Sequence, residues 1–73
     1  SKGMNATQLK AAMLIQGYNA ARLAAVLGIS ESSLYRKLSN RTEFTAGEIA
    51  RIRDTLNLSQ DDVTRIFFAQ QVS

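Results

Sequence analysis

Residues 19–38 read Asn19-Ala-Ala-Arg-Leu-Ala-Ala-Val-Leu-Gly-Ile-Ser-Glu-Ser-Ser-Leu-Tyr-Arg-Lys-Leu38. Asn19 is a good helix cap, because its side-chain oxygen can accept from an orphan backbone N–H. Leu23, Val26 and Leu27 then recur at helical spacing, and Gly28 ends the pattern. Ser30 repeats the start signal, and Leu34 with Leu38 forms a buried i, i+4 pair. Only Gly28-Ile29-Ser30 joins the two predicted helices, so they must cross sharply. Gly28 can take the positive φ of the reversal, Ile29 can plug the space between the helices, and Ala24 is small enough to let them approach.

This is the construction of a helix-turn-helix, in which the second helix is offered to a DNA major groove. Working outward, the spacing predicts a first helix over residues 6–16, with Leu9, Ala12, Met13 and Gln16 in phase and Gly17 as the stop. The pair already described predicts helices over 20–27 and 31–38. The polar stretch Ser39-Asn40-Arg41-Thr42-Glu43 reads as a loop. Thr45-Ala46-Gly47-Glu48 is a capping box ahead of a helix over 46–56, with Ile49, Ile52 and Leu56 inward. Ser59-Gln60-Asp61-Asp62 opens a last helix over 60–70 that buries Val63, Ile66 and Phe67, and its two carboxylates suit the positive end of the helix dipole. Strand signals are absent, so the expected fold is all-α with five helices.

Length and composition narrow the function classes. The chain has 73 residues, which permits one small domain, placed at residues 4–73. Ser1-Lys2-Gly3 ahead of Met4 reads as a cloning scar. The absence of Cys and His removes thiolate zinc sites and hydrolase triads built on Ser-His or Cys-His. No paired-carboxylate pattern, phosphate loop or metal cluster is legible, so neither enzymatic activity nor a cofactor is expected. No apolar run approaches the ~18 residues of a membrane span. With no signal peptide either, the expected location is the cytoplasm. The net charge is +3, and the basic part is the middle third, where Arg22, Arg36, Lys37 and Arg41 stand against Glu31 alone.

The stretch from Asn19 to Leu38, above all Leu23-Ala-x-x-Leu-Gly-Ile-Ser30, resembles the helix-turn-helix of the phage repressor and Cro group. The resemblance extends from Leu9 to Phe68 and is nearest to small Cro-like or modulator-of-repression proteins of temperate phages of Gram-positive bacteria. It implies a five-helix, lambda-repressor-like DNA-binding domain acting at a lysogeny–lysis switch. It also implies base contacts from Glu31, Ser32 and Ser33, with Arg36 and Lys37 one turn on. Phosphate contacts are implied for Asn19, Ala20, Arg22, Asn40 and Arg41, and Ser30 caps the recognition helix.

Two departures bear on that expectation. Many relatives place Gln just after the Asn19 position to grip a phosphate, whereas Ala20 offers only its backbone N–H. Glu31 puts a carboxylate where the helix meets DNA. It can accept from a cytosine amino group, or serve only as a favourable charge at the helix start.

Met13, Leu14 and Ile15 are consecutive and, at about 100° per residue, cannot share one core. Phe67 and Phe68 pose the same problem. Leu14, Ile15 and Phe68 are therefore candidates for a protein interface, or single exposed apolar residues of the ordinary kind. Tyr35 is expected to pack or to be tethered through its hydroxyl. Arg51 and Arg53 are expected to face solvent beside Glu48 or Asp54.

The first functional expectation is a homodimeric transcription regulator that reads double-stranded operator DNA through the 31–38 helix. The alternative is an antirepressor on the same scaffold, bound to the cognate phage repressor instead of DNA. No membrane or small-molecule partner is expected.

Overall fold

The computed structural model describes residues 4–68. Among them the chain forms five α-helices and no strand: α1 (Ala6–Ile15), α2 (Ala20–Leu27), α3 (Glu31–Leu38), α4 (Ala46–Thr55) and α5 (Gln60–Val63). A π-helical turn over Thr64–Phe68 continues α5. The bounds of α2 and α3 are those expected, while α1 and α4 each stop one residue earlier. The expected 60–70 helix instead divides into α5 and the π turn, with residues 69 and 70 outside the described residues. Val63, Ile66 and Phe67 recur at a spacing that a wider turn accommodates as readily as an α-turn, so periodicity over so few residues does not separate the two.

Every helix start is capped. The Asn19 side chain accepts from the Arg22 N–H at 2.8 Å and the Ser30 side chain from the Ser33 N–H at 3.1 Å. Thr45 with Glu48 and Ser59 with Asp62 form reciprocal capping boxes. Asn5 caps α1 by accepting from the Gln8 N–H at 3.1 Å, a cap not anticipated from the sequence.

Four helices end in one way. Gly17, Gly28, Asn40 and Asn57 take left-handed φ values of 75°, 71°, 65° and 55°. Each following N–H reaches back into the last turn: Tyr18 to the Met13 carbonyl, Ile29 to Ala24, Arg41 to Arg36 and Leu58 to Arg53. This closure satisfies carbonyls that a helix end would otherwise orphan.

The helices enclose one core of Leu9, Met13, Leu23, Ala24, Leu34, Leu38, Ile52, Leu56 and Ile66. Val63 is also buried. Tyr18, Ile29 and Leu58, each just past a left-handed residue, pack against it. Phe67 meets Phe44 edge-on at 5.8 Å between ring centroids, a favoured aromatic geometry. Among the described residues no helix is long and apolar enough to cross a membrane.

Candidate functional site

The inward pair Leu34 and Leu38 decides what α3 presents. Its exposed residues are Glu31, Ser32, Tyr35 and Arg36, continued by Ser39 just past its end. Ser32, Tyr35, Arg36 and Ser39 follow i, i+3, i+4, i+7 and form one outward stripe. Behind α3, the Gly28 reversal and the buried Ala24 seat α2 against it. Ser33 is half-buried, and the Ser30 and Asn19 side chains are used as caps.

The cations expected at the site divide into two sets. Arg36 and Arg41 are exposed, and neither enters an ion pair among the described residues. Arg22 is exposed as well. Its guanidinium lies 4.5 Å from the centre of the Tyr18 ring and donates to the Gly17 carbonyl at 3.0 Å. Ala20 is half-buried and packs on the core, which leaves its backbone as the only group it can offer.

Lys37 belongs to the other set. Its Nζ lies 3.2 Å from Glu48 Oε1, donates to the Glu43 carbonyl at 3.1 Å, and sits 5.7 Å from the centre of the Phe44 ring. Its side chain is only 12% exposed. Lys37 is directed into the fold because it follows Arg36 by one residue, which rotates it toward α4. Burial by itself would raise the Glu48 carboxyl. The Thr45 backbone N–H and the Lys37 ammonium outweigh that and hold it below the usual range.

Asn40 is also engaged. Its Oδ1 accepts from the Met4 N–H at 2.9 Å and its Nδ2 donates to the Met4 carbonyl at 3.2 Å. The side chain assigned to a phosphate by resemblance is thus spent on the protein's own backbone.

Two residues of this surface were not read from the sequence. Tyr35 is 54% exposed and neither packs in the core nor has a hydrogen bond through its hydroxyl among the described residues, contrary to expectation. It lies on the outward stripe because it follows Leu34 directly. Lys10, from α1, joins Tyr35, Arg36, Leu38, Ser39 and Arg41 around a shallow depression that contains three cations and no carboxylate. Nothing in the local pattern marks Lys10, since its place at the site depends on how α1 docks.

Leu14 and Ile15 are 80% and 79% exposed, as the inward turn of Leu9 and Met13 requires. Phe68 is 37% exposed. Ile15 lines a cleft with Ala11, Leu56 and Leu58, while Phe68 lines a separate groove with Phe44, Ile49 and Val63. The apolar candidates therefore do not form one surface. Arg53 pairs with its neighbour Asp54 at 3.2 Å, as expected. Arg51 instead donates to the Val26 carbonyl at 3.2 Å.

A family model described as "Protein of unknown function (DUF739)" matches residues 13–70. The match spans α2 and α3 and leaves out Met4, Asn5 and Lys10. No curated protein and no solved structure matches the chain.

Proposed function

The chain belongs to the DUF739 family, and we propose that it is a helix-turn-helix transcription regulator with a lambda-repressor-like architecture. It binds double-stranded DNA through α3. The carrying observation is the outward stripe of Ser32, Tyr35, Arg36 and Ser39, flanked by Lys10 and Arg41 around a depression free of carboxylates. In this reading α3 enters the major groove, where Ser32 and Arg36 meet base edges and Glu31 accepts from a cytosine amino group. Lys10 and Arg41 hold phosphates at one end of the helix, and Arg22 with the Ala20 N–H holds them at the other. One short recognition helix covers little DNA, so specific binding calls for a homodimer on two half-sites. The biological role is control of a temperate phage's lysogeny–lysis switch. The test is fluorescence anisotropy on an arbitrary labelled duplex. Binding at low salt that collapses as salt rises is expected, and no binding at low salt overturns the reading.

A specific set of observations favours a second reading, an antirepressor that docks on the cognate repressor's DNA-reading surface. Lys37 and Asn40 are spent inside the fold, whereas Glu31 stands exposed at the head of α3 with no ion pair among the described residues. Leu14 and Ile15 add exposed apolar area for a protein contact. Under this reading Glu31→Lys weakens the repressor complex and strengthens DNA binding. Under the first reading the complex does not form.

A further inference from the structure

Three of the four left-handed helix closures are secured by the residue that follows. Tyr18, Ile29 and Leu58 each pack against the core, the apolar contact that commonly accompanies this motif. The fourth differs, because the residue after Asn40 is Arg41, which is exposed. The turn after α3 therefore lacks the apolar anchor of the others, although it carries a cation of the basic depression.

We propose that Asn40 is a positioning residue, clamping the backbone of Met4 so that the turn after α3 holds Arg41 at the depression. The clamp is two-sided. Asn40 accepts from the Met4 N–H and donates to the Met4 carbonyl, across 36 residues of sequence. The clamped segment is itself fixed by its backbone, since the Asn5 N–H donates to the Ile66 carbonyl at 2.7 Å. An amide side chain is suited to this task because it offers both a donor and an acceptor, whereas Asp offers only acceptors. The left-handed conformation does not by itself require the clamp. Asn57 has the same conformation, and its side chain makes no hydrogen bond among the described residues. There Leu58 secures the turn instead.

The link from the clamp to nucleic acid rests on the DNA-binding reading, but the clamp as organiser of the turn does not. Two variants of the full chain separate the contributions. Asn40→Gly keeps the positive φ without strain and removes the clamp. Met4→Ala keeps the clamped peptide groups and removes the side chain that packs on the core. Amide exchange at Arg41 and Thr42 is expected to quicken about tenfold or more in Asn40→Gly, the effect of losing both hydrogen bonds of the clamp. It is expected to stay at the wild-type rate in Met4→Ala, even though Tm falls.

Unchanged exchange in Asn40→Gly, or equal quickening in Met4→Ala, overturns the clamp. On duplex DNA, Asn40→Gly is expected to lower the log–log salt slope by about one phosphate contact. Quickened exchange with a full slope overturns the clamp's role toward Arg41. A wild-type chain that binds no duplex overturns the DNA-binding reading, and the exchange rates then still decide the clamp.

Discussion

Lys37 Nζ and Glu48 Oε1 stand 3.2 Å apart and tie α3 to α4, with side chains only 12% and 17% exposed. The same Glu48 oxygen accepts from the Thr45 N–H at 2.9 Å, so one carboxylate both caps α4 and anchors the neighbouring helix. A cation next to the presented face of α3 thereby becomes part of the framework.

Lys37→Ala is accordingly expected to cost stability and not DNA contact. Removing a pair at this exposure costs about 1 kcal/mol, which lowers Tm by roughly 4–8 °C in a domain of this size. Thermal melts check the first part. An unchanged salt slope on duplex DNA checks the second, and a lost unit of slope would place Lys37 on the DNA after all.

Lys10→Ala and Arg36→Ala should behave in the opposite way. Each is expected to leave Tm nearly unchanged, and Lys10→Ala to reduce the salt slope by about one unit. The Lys10 effect should be uniform across duplex sequences, as for a phosphate contact. The Arg36 effect should depend on sequence if it meets a base edge. Anisotropy titrations over a salt series on two unrelated duplexes distinguish these outcomes.

Stability should fall in acid. The Thr45 N–H and Lys37, against an opposing push from burial, lower the Glu48 carboxyl from its ordinary value of 4.5. The Ser59 N–H, with Arg65, lowers Asp62 from 3.8. A carboxyl that is more acidic folded than unfolded contributes stability that is fully present above its unfolded value. That stability is lost as pH falls through the folded value. Melts are therefore expected to be flat from neutral pH down to the ordinary carboxylate range and to drop below it. In Glu48→Gln the drop should be shallower, and an equally steep drop would mean that other carboxylates carry it.

Gly28→Ala should cost about 1 kcal/mol through backbone conformation alone, since an added Cβ at its φ of +71° meets nothing within 4 Å. Gly28→Asn should cost less, because Asn40 and Asn57 already hold that conformation elsewhere in the chain. Chemical denaturation of the two variants checks the order. A larger loss for Asn would show that the side chain, and not φ, sets the penalty.

Much of the helical framework was legible in the sequence because its signals are local. Asn19, Ser30, Thr45 and Ser59 cap helices by accepting from N–H groups three residues on, and the starts they mark agree with the structure. Gly17 and Gly28 end helices where their freedom of φ is needed. The exposure of Leu14 and Ile15 followed from helical geometry once Leu9 and Met13 turned inward. Asn5 caps α1 through the same local signal, standing directly ahead of the start at residue 6.

What the sequence determined, then, was where helices begin, where α2 and α3 end, most of the residues that face the core, and that the middle third is basic. Tertiary structure decided which polar side chains remain available. Arg36 and Lys37 are adjacent in sequence, yet one faces outward and the other is held by Glu48 and the Glu43 carbonyl. Asn40 is spent on Met4, 36 residues away, and Lys10 reaches the depression from another helix. The physical reason is range. A cap or a turn acts within three or four residues, whereas the partner of a side chain is set by the docking of distant helices, which no local spacing encodes.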